Sequence, residues 1–125
     1  MFNEFSNVTQ SKGSSGFRRW FCHKTMDLVV WHDEAGSISG FQLIYDKDWN
    51  PRAFTWTGRY GYLHAKVDEG DDGWTPRSPI LVPDGILPYE ALLGSFKELA
   101  RSLEPHISNL VELRMRDYAE ARGLA

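Results

Sequence analysis

The segment Asp46-Lys47-Asp48-Trp49-Asn50 carries side-chain oxygens at alternate positions, as the start of a calcium-binding loop does. A complete EF-hand loop also has glycine at its sixth position and, at its twelfth, a glutamate that binds the cation through both oxygens. Pro51 and Thr57 occupy those two positions here. The segment is therefore interpreted as an Asx-rich hairpin loop and not as an EF-hand.

A second group of oxygen ligands lies in the acidic, glycine-rich segment 68–73. Carboxylates on a loop can hold Ca²⁺ or Mg²⁺. Acidic runs are more often solvated loops, however, and this spacing is not diagnostic of a cation site. No metal centre is predicted. A weak divalent-cation site in this loop is kept as an alternative, with the ligands Asp68, Glu69, Asp71 and Asp72.

The histidines and the single cysteine are the remaining candidates for metal or nucleophilic chemistry. His32 and His64 could approach each other across a sheet, with Cys22 and His23 nearby. A zinc site needs about four ligands in tetrahedral reach, and no C-x-x-C or H-x-x-x-H spacing is present. Adjacent strand residues point to opposite faces, so Cys22 and His23 cannot serve one metal. The histidines are predicted to be surface or turn residues, no catalytic residue is assigned, and no cofactor is expected.

Composition and charge restrict the class of protein. The chain has 125 residues, a length typical of one domain. Its aromatic share of 14% is high, and large rings favour a core built from aromatic side chains. The net charge of -3, without a basic stripe, argues against a nucleic-acid partner. One cysteine, no membrane-length apolar run and no signal segment predict a cytoplasmic protein without a membrane partner.

The chain divides into a short arm and one domain. Residues 1–16 are polar and weakly patterned, and they are interpreted as a flexible N-terminal arm on which Phe2 and Phe5 could dock. Residues 17–125 are predicted to form a single α+β domain. Alternating apolar positions indicate a meander-like antiparallel sheet of four to six strands. Two amphipathic helices follow, packed on one face and separated by Pro105, with one long helix kinked at this proline as the alternative.

Turn lengths predict which residues face each other in the sheet. A tight turn at 35–36 places Val30 opposite Phe41, and the six-residue loop that follows places Tyr45 opposite Phe54. This arrangement gathers a core face made of Met26, Leu28, Val30, Phe41, Leu43, Tyr45, Phe54 and Trp56. The opposite face is mixed in polarity and carries Asp27, Val29, Trp31, Gln42, Ile44, Thr55 and Thr57. On it, Trp31 is predicted to lie opposite Gly40, whose bare backbone the ring can cover.

One resemblance concerns less than half of the chain. It lies in Arg18-Arg19-Trp20-Phe21, Asp27-Leu28-Val29-Val30-Trp31, Gly40-Phe41-Gln42-Leu43-Ile44-Tyr45-Asp46 and Phe54-Thr55-Trp56. These stretches, within residues 18–57, resemble a group of small bacterial proteins of unknown function. The resemblance implies a bacterial protein and carries no activity with it.

The mixed face is the basis of the leading functional hypothesis. We expect a small cytosolic, non-catalytic binding or protein-interaction module that forms a homo-oligomer or binds a protein partner through an apolar patch. The residues assigned to this face are Val29, Trp31, Gln42, Ile44 and Thr55. The alternative is a small-molecule-binding protein or small enzyme, with a pocket between sheet and helices near Gln42, Thr55, His32 and His64.

Overall fold

The computed structural model describes residues 1–6, 16–68, 80–83 and 85–125. Within these ranges, seven strands form one antiparallel sheet in which each strand pairs with the next in sequence. The strands are β1 (Asn3–Phe5), β2 (Phe17–Cys22), β3 (Met26–His32), β4 (Ile38–Tyr45), β5 (Arg52–Thr57), β6 (Gly61–Asp68) and β7 (Ile80–Pro83). Two helices follow, α1 (Tyr89–Leu99) and α2 (Pro105–Ala121). The predicted α+β meander with C-terminal helices is confirmed, and six of the strands lie within residues 17–125.

The C-terminal segment forms two separate helices, as preferred from the sequence, and not one helix kinked at Pro105. A 3₁₀ turn, Ala100–Ser102, follows α1, and Leu103 then takes an extended conformation. Pro105 occupies the first position of α2, where its missing N–H would have no helical partner. Among the described residues, no helix has the length and apolar composition needed to cross a bilayer.

The strand register is as predicted between β3 and β4 and differs by two residues between β4 and β5. Val30 faces Phe41, but Tyr45 faces Arg52 rather than Phe54, and the predicted pairing was therefore wrong. The sequence pattern extends β4 to Asp46 and begins β5 at Ala53. In the structure β4 ends at Tyr45, before Asp46 with its positive φ of 53°, and β5 begins at Arg52, so that one residue at each end gives the shift of two. Because side chains alternate with a period of two, the even shift leaves every residue on its predicted face.

Both helices pack on one face of the sheet and bury the aromatic core beneath them. Phe41, Phe54 and Phe96 are completely buried. The ring of Tyr118, from α2, meets Phe54 edge-on at 5.2 Å. All eight residues predicted for the core face contribute to this cluster, with Trp56 only partly buried at its margin.

The N-terminal segment contains a strand that the sequence analysis did not assign. Asn3–Phe5 pairs with β2 and forms one edge of the sheet. Phe2 docks in the core, where it is 3% exposed, whereas Phe5 remains 54% exposed. The backbone N–H of Phe2 donates a hydrogen bond to the carbonyl of Leu99, 3.0 Å away, which attaches the segment to the end of α1.

Candidate functional site

The sheet face turned away from the helices carries an uncharged row of side chains that crosses six neighbouring strands. The pairings of β1 to β6 align these residues directly across from one another. At the centre of the row, Gln42 Nε2 donates a hydrogen bond to Thr55 Oγ1 at 3.1 Å. We call this set the cross-strand row; it consists of Phe5, Trp20, Val29, Gln42, Thr55 and Leu63.

The five residues assigned to this face from the sequence do share it, but their exposure is uneven. Val29 and Ile44 are only 4% and 8% exposed, whereas Trp31, Gln42 and Thr55 are half-buried. Ile44 forms a small apolar cluster with residues of β5 and β6, separate from the main core. The partly exposed side chains of this face are therefore mainly aromatic and polar, with Leu63 as an aliphatic member and Arg18 as a charged one opposite Trp31.

Trp31 stands beside the cross-strand row, in a second row that is unusually bare. It faces Gly40, as predicted, and Gly40 in turn faces Thr57. Thr57 faces Gly61. Two glycines in this row leave little side-chain material on the β4 to β6 side of Trp31, so that part of the face is flat, while Arg18 of β2 faces Trp31 on its other side.

His32 and His64 lie on the opposite face, which carries the main core, and they are buried at 7% and 6% exposure. The prediction that they are surface or turn residues was therefore wrong. His32 Nδ1 lies 2.9 Å from the carbonyl oxygen of Gly36, and its ring stacks on Phe17 with centroids 4.6 Å apart. These contacts with Gly36 and Phe17 keep the His32 ring out of solvent.

His64 of β6 forms a hydrogen bond with a buried tyrosine of β4. Its Nε2 lies 2.5 Å from the hydroxyl oxygen of Tyr45. Since His64 and His32 belong to the helix-covered face while Gln42 and Thr55 belong to the other face, these four side chains do not line one pocket. The structure thus separates the residues of the predicted sheet–helix pocket into two sets.

Cys22 lies next to an ion pair at one end of the sheet. Lys47 Nζ is 2.7 Å from Asp27 Oδ1 and also donates a hydrogen bond to the carbonyl of His23 at 3.0 Å. Asp27 is the direct partner of Cys22 across β2 and β3. Burial raises the pKa of the Cys22 thiol, and the negative charge of Asp27 raises it further. The thiol is thus kept protonated, whereas a nucleophilic cysteine needs the thiolate.

The two oxygen-rich segments differ in what the structure describes. In the first, the Asp46 carbonyl accepts hydrogen bonds from the N–H groups of Trp49 and Asn50, which forms a compact turn. In the second, Glu69, Asp71 and Asp72 lie outside the described residues, and Asp68 is the last residue of β6. Across residues 1–6, 16–68, 80–83 and 85–125, no group of three His, Cys, Asp or Glu side chains could hold a metal ion.

A groove of about 350 Å³ lies between the two helices. Leu93 and Leu113 supply its apolar surface, with Tyr89 beside them. Its polar lining comes from Lys97, Asn109, Glu112 and Arg116. Sequence analysis did not identify it, because it arises from the spacing of two helices and not from a motif.

No family model, no curated protein and no solved structure matches this chain. The similarity of residues 18–57 to small bacterial proteins therefore remains an interpretation of the sequence. The cross-strand row and the groove between the helices are the two surfaces whose geometry indicates a function.

Proposed function

We propose that the protein is a small, non-catalytic interaction module that self-associates through the sheet face opposite the helices. The observation that carries this proposal is the cross-strand row, in which six neighbouring strands contribute six uncharged side chains. Charged residues make up 25% of the chain, so a row of this length without any charge is a distinct surface.

The chemistry of the row matches that of protein interfaces. Interface centres are depleted of charged side chains and enriched in aromatic ones. Trp20 is a half-buried member of the row, and the flat, half-buried Trp31 lies beside it. In a two-fold dimer the same patch of each copy faces the other, and an uncharged patch makes this possible without like-charge repulsion. The net charge of -3 supports a protein partner over a nucleic acid, and the single cysteine supports a cytoplasmic location.

A charge placed at the centre of the row tests the proposal. Thr55→Lys introduces an ammonium group that would have to lose its water shell on association. Sedimentation over about 10 µM to 1 mM covers the affinities expected of weak interfaces. We expect the wild-type chain to show a concentration-dependent dimer and the variant to show markedly less dimer at each concentration.

Ser95→Lys supplies the matched control, since it places the same charge at an exposed position of α1. It should leave the dimer unchanged. A wild-type chain that stays monomeric over the whole range contradicts the proposal, as does an equal loss of dimer in both variants.

The groove between the helices favours a second candidate function, the binding of a small ligand with an apolar body and a carboxylate. Its volume of about 350 Å³ falls within the roughly 300–1,000 Å³ of ligand sites. Arg116 lines the groove, and a guanidinium can bind a carboxylate through two parallel hydrogen bonds. Leu93 and Leu113 would contact the apolar body.

NMR titration with hexanoate, and with hexylamine as the cationic analogue of the same length, tests this candidate. Hexanoate should shift the signals of Leu93 and Leu113, and hexylamine should not. Arg116→Gln should abolish the effect of hexanoate. Equal responses to the two compounds, or an unchanged response in the variant, would rule out carboxylate recognition in the groove.

A further inference from the structure

The N-terminal strand β1 is held by contacts that together describe a binding slot for an extended peptide. Its first contact is aromatic. The ring of Phe2 is buried, with its centroid 6.0 Å from that of Phe96. Two hydrogen bonds fix the backbone of Phe2, one from its N–H to the carbonyl of Leu99 at 3.0 Å and one from Ser102 Oγ to its carbonyl at 2.8 Å.

The second contact is a carboxylate held by an arginine. Arg19 Nε and Nη2 donate hydrogen bonds to the two carboxylate oxygens of Glu4, both at 2.8 Å. Arg19 is also anchored independently of β1, because its Nη1 bonds Glu104 at 2.7 Å and its guanidinium lies over the Phe21 ring at 5.0 Å. The guanidinium fork therefore keeps its position when Glu4 leaves, and it is preorganised for a carboxylate.

The third contact is the backbone edge of β2. Asn3 pairs with Cys22, and Phe5 pairs with Trp20. Without β1, strand β2 would present the unpaired N–H and C=O groups of a sheet edge, onto which an extended peptide can add as a new strand. The slot therefore fits an extended strand that carries an aromatic residue and, two positions later, a glutamate.

We propose that this slot is a strand-exchange site, filled in one chain by its own N-terminus and able to take the N-terminal strand of a second copy. The N-terminal strand of a second copy has the required chemistry, since its Phe2 and Glu4 supply both determinants. Eleven residues, 6–16, separate β1 from β2 in sequence. Such a length can reach about 36 Å when extended, far more than the roughly 5 Å between neighbouring strands, so chain length does not dictate which copy supplies the strand.

Exchange depends on protein concentration. A strand tethered through a short connection competes at an effective concentration in the millimolar range. With an effective concentration of about 1 mM, exchanged dimers would hold roughly 2% of the chains at about 10 µM and about half of them at about 1 mM. This proposal is independent of the sheet-face interface, because it involves the edge of the sheet.

The single native cysteine allows exchange to be trapped. Asn3 and Cys22 are direct partners on adjacent antiparallel strands, a spacing that a disulfide can bridge. In the full-length Asn3→Cys variant, oxidation should join the introduced thiol to Cys22 within one chain or between two chains. The reduced protein is equilibrated at each concentration before oxidation at alkaline pH, because burial and Asp27 raise the pKa of Cys22. Peptide mapping then identifies which positions are joined.

At low concentration we expect bridges within one chain. The fraction of chains joined by intermolecular bridges between position 3 and Cys22 should rise about 25-fold from about 10 µM to about 1 mM. Ser95→Cys, at an exposed site on α1, reports random collision of thiols and should give no such bridge. Internal bridges alone at every concentration would overturn exchange, even if sedimentation shows a dimer formed by the sheet face. Position 3 and Cys22 remaining unjoined, or intermolecular bridging equal to that of the control, would overturn the slot itself.

Discussion

Replacing Gly40 by alanine tests whether the flat part of the sheet face is required by packing. Gly40 lies in β4 and faces Thr57 of β5. A Cβ at this position would lie 2.7 Å from the carbonyl oxygen of Trp56, 2.9 Å from Thr57 Cγ2 and 3.1 Å from Thr57 Cα. Two of these three atoms belong to the backbone, so the strand itself has to move to admit the methyl group.

The expected cost follows from where β5 lies. It is paired on both sides, with β4 and β6, and it carries the completely buried Phe54. Overpacking of this kind costs about 1–3 kcal/mol, and more where the backbone shifts. We expect Gly40→Ala to lower the free energy of unfolding by about 3 kcal/mol, which corresponds to a fall of roughly 10 °C in Tm for a chain of this length.

Gly94→Ala makes the same chemical change where there is room for it. Gly94 lies within α1, and no atom comes within 4 Å of a Cβ built there. Alanine is favoured over glycine inside a helix by about 1 kcal/mol, so this variant should be more stable than the wild type. Urea unfolding followed by circular dichroism measures both. A Gly40→Ala variant as stable as the wild type would refute the close approach of β4 and β5.

Three further substitutions probe buried polar and core contacts. Tyr45→Phe removes the hydroxyl 2.5 Å from His64 Nε2 and should lower the free energy of unfolding by about 1–2 kcal/mol; unchanged stability in urea would contradict a buried hydrogen bond. Phe96→Ala empties a completely buried site and should cost about 3–5 kcal/mol in the same assay, with a loss below about 1 kcal/mol arguing against it. Asp27→Asn removes a negative charge that raises the pKa of Cys22, so iodoacetamide should react at lower pH; an unshifted pH profile would contradict that influence.

The fold was predictable because local patterns and turn lengths agree with it. The tight turn at 35–36 fixes the pairing of β3 with β4, and the alternation of apolar residues selects the core face. The pairing of β4 with β5 was missed by two residues because β4 ends before Asp46, which adopts a positive φ, and β5 begins one residue early, at Arg52. Asp and Asn tolerate this conformation more readily than other non-glycine residues, but the sequence does not show which of several polar loop residues adopts it.

The positions of the histidines could not be predicted from local sequence. His64 is buried against Tyr45, nineteen positions away, and His32 stacks on Phe17, which lies in a different strand. A polar residue at an alternating position of a strand looks the same whether its face is open or covered. The pairing register and the helix packing decide between the two, and both are long-range properties.

The N-terminal strand was missed for a related reason. Its three residues, Asn3–Phe5, are too few to show a period. The contacts that hold it come from distant positions, since Ser102 bonds the carbonyl of Phe2 across a separation of one hundred residues. Only the aromatic character of Phe2 and Phe5 signalled that the segment could dock, and of the two only Phe2 is buried.

The ionisable groups near the sheet are engaged in holding the fold, which favours a binding role for the uncharged row. Lys47 is paired with Asp27. Arg19 bridges β1 to the start of α2 through Glu4 and Glu104, and its hydrogen bond lowers the pKa of Glu4. Because that pKa is lowered, the stability contributed by this pair is present above the ordinary pKa of a glutamate and lost as pH falls through the lowered value. None of these ion pairs uses a side chain of the cross-strand row, although the Arg18 guanidinium lies 5.9 Å from the centroid of the Trp20 ring. Binding at that face can therefore be changed by substitution at Thr55 without releasing the ion pairs that hold the sheet and helices together.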